Sequence, residues 1–131
     1  MIGIDTNVLA RYIAEDDATQ SAAAAKVIES LSAESPGFVP LVVIAELVCV
    51  LQFSYRFSKR EIADVVEKLL RSAELMIENT EIVAQALREF RVSRADFADC
   101  LIERGAHAAG CQHTVTFDKR AATIANMRLI Q

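Results

Sequence analysis

The first nine residues, Met1-Ile2-Gly3-Ile4-Asp5-Thr6-Asn7-Val8-Leu9, constrain the chain more than any other stretch. A short apolar run stops at a carboxylate, and two small polar residues follow. Apolar residues then return at helical spacing (Val8, Leu9, Tyr12, Ile13). This is the pattern of a strand that delivers one acid at its C-terminal tip, with a helix starting at once. Open α/β sheets place their ligand crevices at the carboxyl ends of the strands. If Asp5 opens a site, further carboxylates should stand at matching positions. Glu46, Asp99 and Asp118 do, and Asp96 lies close by.

The rest of the chain alternates in the same way. A polar break, Ala14-Glu15-Asp16-Asp17, precedes an alanine-rich helix expected over 19–32, with Ala24, Ile28 and Leu31 inward. Glu34-Ser35-Pro36-Gly37 ends it with turn residues, and Phe38-Val39 is a short strand closed by Pro40. Residues 41–55 are the least polar part of the chain. Their length and lack of alternation predict a buried helix, with Glu46 its single charge. Ser58-Lys59-Arg60-Glu61 has the form of a capping box and opens a helix to about Arg71. Leu75-Met76-Ile77 is a strand, and 80–90 is a helix with Ile82, Val83, Ala86, Leu87 and Phe90 inward. Ser93-Arg94-Ala95-Asp96 again has capping-box form, and its helix should stop at Gly110, a natural C′ residue. Thr114-Val115-Thr116-Phe117 is a strand with Asp118 at its tip. A short helix over 119–126 then leads to a last strand, 128–130. Strands separated by helices imply an α/β fold, a parallel sheet of four to five strands flanked by helices on both faces. A chain of 131 residues without repeats or linkers is expected to form one domain, 1–131.

Composition excludes several classes. No apolar run is long enough to span a membrane. The N-terminus lacks the basic start and cleavage site of a signal peptide, so a cytoplasmic protein is expected. Cys49, Cys100 and Cys111 are odd in number and have no CxxC spacing, which favours small core fillers over disulfides or a zinc site. The net charge of −4 argues against nucleic acid as a partner. That argument fails if the acids hold divalent cations, because a bound ion then reverses the sign of the site.

In a parallel sheet Asp5 and Asp118 fall on one edge, and the helix start carrying Asp96 and Asp99 can reach it. Clustered carboxylates cannot all ionise unless a cation joins them. Oxygen ligands without His or Cys suit Mg²⁺ or Mn²⁺. Such ions serve phosphoryl chemistry, so the residues point to a metal-dependent hydrolase of phosphodiesters. Each acid alone has a plainer reading. Asp5 and Asp118 resemble helix caps, Asp96 fits the third position of a capping box, and the helix dipole accounts for Asp99 in part. Glu46 resists this, because an ionised Glu among apolar residues wants a partner and its own helix offers none. One metal site explains the five together.

The segments Ile4-Asp5-Thr6-Asn7-Val8-Leu9, Val43-Ile44-Ala45-Glu46-Leu47, Asp96-Phe97-Ala98-Asp99-Cys100-Leu101-Ile102 and Thr116-Phe117-Asp118 resemble the PIN-domain family. The resemblance is nearest to its VapC-type toxins and covers essentially the whole chain. It implies a Mg²⁺- or Mn²⁺-dependent endoribonuclease acting on RNA, a VapB-like antitoxin and, usually, a homodimer. Asp5, Glu46, Asp99 and Asp118 match the family's four acids, and Asp96 matches an accessory acid found in many members. The metal ligands expected are Asp5, Asp99, Asp118, Glu46 and Asp96. Thr6 and Thr116 match small hydroxyl residues that bond to the acids. Cys100 stands where the family often has Ala. Arg94, Arg104, Lys119 and Arg120 are candidates to grip RNA phosphates, and Phe53, Tyr55 and Phe57 candidates for an antitoxin or dimer contact. His107, His113, Ser58 and Ser93 carry little catalytic signal. Two competing readings are a catalytically silent RNA-binding or protein-interaction module and an aspartyl-phosphate phosphatase. The second wants an Asp at position 7, where this chain has Asn7.

Overall fold

The structure is a computed structural model describing residues 1–131. Its elements alternate as the sequence predicts: β1 (Ile2–Gly3), α1 (Thr6–Ala14), α2 (Ala18–Glu29), β2 (Gly37–Val39), α3 (Leu41–Phe53), α4 (Lys59–Arg71), β3 (Leu75–Ile77), α5 (Thr80–Val92), α6 (Phe97–Ala108), β4 (Thr114–Thr116) and β5 (Met127–Leu129). The helix expected over 119–126 is only a 3₁₀ turn at Ala121–Thr123. All strand pairs are parallel. They form a three-stranded sheet, β1-β2-β3, and a two-stranded one, β4-β5. No helix is long and apolar enough to cross a membrane. The chain divides into two compact units, Met1–Thr80 and Glu81–Gln131.

In the first unit β2 is the central strand. Gly37 stands opposite Ile2 and Leu75, and Val39 opposite Ile77. Pairing runs one residue past β1, where the Ile4 N–H donates to the Phe38 carbonyl at 2.8 Å. Ile4, Val39 and Ile77 are buried, as are Leu9 and Ala10 of α1 and Ile62, Ala63, Val66 and Leu69 of α4. Helix α1 packs on α2 and α3, and α4 on α3 and β3. The predicted capping box of α4 is present: Ser58 accepts from the Glu61 N–H and Glu61 from the Ser58 N–H. Helix α2 begins one residue earlier than expected, because Asp17 caps it through Gln20. At the turn into α2, Arg11 reaches both oxygens of Asp16 at 2.8 Å, and Tyr55 donates to Asp16 at 2.9 Å. The guanidinium, more than any other neighbour, holds the Asp16 carboxyl below its ordinary range.

Helix α3 lacks a side-chain cap, since Pro40 precedes it. Glu78, just after β3, supplies the acceptor by taking the Leu41 N–H at 2.7 Å. Val43, Ile44, Leu47, Val48 and Leu51 are buried. The β-branched residues make this a poor intrinsic helix, and packing of the apolar face decides the conformation instead. The outer face is exposed, with Val42 at 72% and Phe53 at 68%. The helix expected to be buried therefore has one buried face and one exposed face.

In the second unit, Val83, Ala86, Leu87 and Phe90 of α5 and Phe97, Cys100 and Leu101 of α6 are buried. The rings of Phe90 and Phe97 meet edge to face, centroids 5.6 Å apart. Helix α6 starts at Phe97 with Asp96 as its N-cap residue. Ser93 is therefore not its cap, and accepts instead from the Ala95 N–H at 3.3 Å. Gly110 ends the helix as expected, with φ +98. Its N–H bonds to His107, and that of Cys111 to Ala106, the pairing of a Schellman motif. Burial pushes the Cys100 thiol up to about 12, so it stays protonated. Cys111, expected as a core filler, is exposed.

A Cβ added at Gly37 would lie 2.9 Å from Ile4 Cγ1 and from Leu31 Cδ1. Gly37→Ala is expected to cost about 1–3 kcal/mol through overpacking, read as a lower urea midpoint with an unchanged slope.

Candidate active site

The five sequence-predicted acids divide between the two units. In the first, Asp5 follows the strand directly and is the N-cap residue of α1, with extended backbone (φ −81, ψ 159). Its side chain makes no capping bond, so the plain capping reading does not account for it. Thr6, the first helical residue, is 3% exposed. Its hydroxyl donates to Glu46 Oε1. Glu46 is exposed and not buried, which corrects the expectation of an acid enclosed by apolar side chains. Its partner comes from α1, as its own helix could not provide one. The bond orients one carboxylate oxygen and leaves the other available.

In the second unit two carboxylates act on a third. Asp99 has its pKa raised by burial first, then by the charges of Asp118 and Asp96. The Asp96 N–H and the charge of Arg120 oppose this only in part. Asp96, at the N-cap, makes no side-chain capping bond, and its Oδ1 lies 3.8 Å from Arg120 Nη2. Asp118 does cap its own turn: Oδ1 accepts from the N–H of Arg120 at 2.8 Å and of Ala121 at 3.4 Å. Thr116 Oγ1 accepts from the Asp118 N–H at 3.0 Å, which holds the residue at the strand tip.

The donor set is made of carboxylate oxygens and lacks His and Cys, which fits a hard divalent cation. The mutual repulsion at Asp99 is the kind a cation relieves. The carboxylates are not drawn into a cage, however: no group of three or more His, Cys, Asp or Glu is arranged to hold a metal. His107 lies in the last turn of α6, and neither it nor His113 bonds to an acid.

The candidate cations fare unequally. Arg104 is committed to the adjacent Glu103, donating from Nε at 2.9 Å and Nη2 at 2.7 Å. The Glu103 side chain is 2% exposed, a buried ion pair that the charge pattern did not reveal. Arg94 is exposed and contributes main-chain groups: its N–H donates to Thr123 at 3.3 Å and its carbonyl accepts from Arg120. Lys119 is exposed. Among the aromatics, Phe53 is exposed while Tyr55 is engaged with Arg11 and Asp16.

A groove of about 760 Å³ in the first unit went unforeseen. Leu9, Ile13, Ile28 and Leu69 line it, with Glu15, Glu29, Glu74 and Lys68 around them. Its apolar lining was readable only as the inner faces of separate helices.

Residues 2–127 match the family described as PIN domain. A VapC ribonuclease of Aquifex aeolicus (strain VF5) is 29% identical over 119 residues, covering 89% of this chain and 87% of that relative.

A carboxyl whose folded pKa is raised opposes folding once it ionises. The penalty appears as pH rises past the unfolded pKa and is complete above the folded one. Asp99→Asn is therefore expected to raise the melting temperature of the metal-free protein at neutral pH. The gain should vanish below the ordinary carboxylate range, and melts in EDTA at the two pH values check this.

Proposed function

The chain belongs to the PIN-domain family, and we propose that it is a divalent-metal-dependent endoribonuclease, the toxin of a VapBC-type toxin–antitoxin pair. The observation that carries the reading is the Asp99 cluster, where burial and two neighbouring carboxylates disfavour the charged form. Such an arrangement is costly unless a cation uses it. The relative's name, VapC ribonuclease, supplies the reaction class.

Asp5, Glu46, Asp99 and Asp118 are assigned to catalysis, as ligands of Mg²⁺ or Mn²⁺. The ion, when bound, acidifies a water and neutralises charge at the scissile phosphate. Thr6 holds the Glu46 carboxylate in one orientation through its hydroxyl, which spares the site a rotamer search at the moment of reaction. Asp118 uses Oδ1 to cap its own turn. Thr116 fixes the main chain beneath it.

Two partners follow from the same reading. The antitoxin is assigned to the groove between α1, α2 and α4, whose surrounding acids outnumber its base. Apolar lining with an acidic rim complements a basic amphipathic segment. A second copy of the chain is assigned to the C-terminal end of α3, where Phe53 stands exposed beyond Glu46. The aromatic side chain that serves such a contact is Phe53, since Tyr55 is already engaged.

Total RNA incubated with antitoxin-free protein should give discrete fragments in Mg²⁺ or Mn²⁺ and none in EDTA. Asp5→Asn and Asp99→Asn should each lower the rate at least about 100-fold, as loss of a group acting in the transition state does, without loss of folding. Full activity in a well-folded Asp5→Asn protein would sink the assignment. Glu29→Lys with Glu74→Lys is expected to weaken co-purification with the co-expressed antitoxin and leave cleavage intact.

A further inference from the structure

Arg120 is held more firmly than an exposed arginine usually is. Its main-chain N–H is bound by Asp118 Oδ1 at 2.8 Å. Its Nε and Nη2 both donate to the Arg94 carbonyl, at 3.3 and 3.2 Å. The same Nη2 lies 3.8 Å from Asp96 Oδ1. One edge of the guanidinium is thus engaged, while the side chain remains 68% exposed. Nη1, with two N–H donors, is not used by any of these contacts.

A pair this exposed and this long adds little to stability, so folding does not explain why the group is fixed. Nor does helix capping explain Asp96, whose carboxylate makes no cap bond at the end of α6. The other cations do not offer the same arrangement. Arg104 is committed to Glu103, and Lys119 is a point charge on a flexible stem. A guanidinium with one edge anchored and the other open is preorganised to receive phosphate oxygens, because little side-chain freedom remains to be lost.

We infer that Asp96 and Arg120 form a positioning pair, in which Asp96 and the Arg94 carbonyl hold Arg120 to receive an RNA phosphate beside the catalytic acids of the second unit. This rests on the ribonuclease reading and gives Asp96 a different task from metal ligation. Phosphate binding through Nη1 leaves the contacts to Asp96 and Arg94 intact. The pair therefore persists in the complex.

The test uses the full chain and a fluorescent single-stranded oligouridylate, with binding measured in EDTA over a salt series, and Mn²⁺ binding measured separately by calorimetry. Arg120→Gln is expected to lower RNA affinity about tenfold, the loss of one charge-assisted contact. It should also flatten the slope of log affinity against log salt by about 0.7, the value for one phosphate on a single strand. Arg120→Lys should restore the slope and not the full affinity, since it keeps the charge and loses the fork. Asp96→Asn should weaken RNA binding about threefold, a loss of orientation with the charge of Arg120 kept, and leave Mn²⁺ affinity within about twofold of wild type. An unchanged salt slope in Arg120→Gln would overturn the inference. So would an Asp96→Asn protein that binds RNA normally and loses Mn²⁺ affinity tenfold or more, the loss expected for a first ligand or its support. RNA binding is read without cleavage. A chain that never cleaves RNA but shows these binding changes would defeat the nuclease reading alone.

Discussion

Parallel pairing of very short strands is the constraint on which this structure depends. Two parallel strands cannot be joined by a tight turn. Each return needs a crossover of a dozen or more residues, usually helical. With strands of two or three residues, most of the first unit is crossover, and the sheet's role is to align where helices begin. α1 starts three residues after β1 ends, and α3 two residues after β2. Polar residues at these junctions therefore stand at the carboxyl edge of the sheet, where helix starts present unpaired N–H groups. Asp5, Thr6 and Glu78 all come from such junctions. Glu78 meets the main-chain demand at α3, and Asp5 is left without a capping duty.

Helix α3 shows how packing overrides local preference. Its composition is that of a strand core, and Pro40 denies it a side-chain cap. It is a helix because its buried face fills the space against α1 and α4 and because a residue from β3's far end caps it. The consequence for the site is direct. Glu46 sits on the exposed side, within reach of a hydroxyl from another helix.

The candidate site was legible in the sequence to the extent that acids at strand ends and helix starts are visible there. Asp5, Asp99 and Asp118 could be singled out from position, and Glu46 from being the one charge in a long apolar run. Whether Glu46 is buried could not be read the same way, because burial depends on which face of α3 is covered. The start of α6 was displaced for a related reason. Ser93 and Asp96 are both good cap residues three apart, and local spacing does not choose between them. What distinguishes the cations, a buried Glu103 for Arg104 and a carbonyl for Arg120, was not readable at all. A salt bridge between adjacent residues of a helix runs against the usual spacing of helical pairs.

Sequence alone determined the alternation of strands and helices, the acids that end them, the capping box that starts α4 and the glycine that stops α6. These are local matters, settled by periodicity, turn chemistry and the cost of unpaired main-chain groups. Tertiary structure decided which carboxylates repel one another, which arginine stays available and which face of α3 meets solvent. Those outcomes depend on distances between segments far apart in the chain, and the electrostatic and desolvation energies that follow from them exist only once the chain has folded.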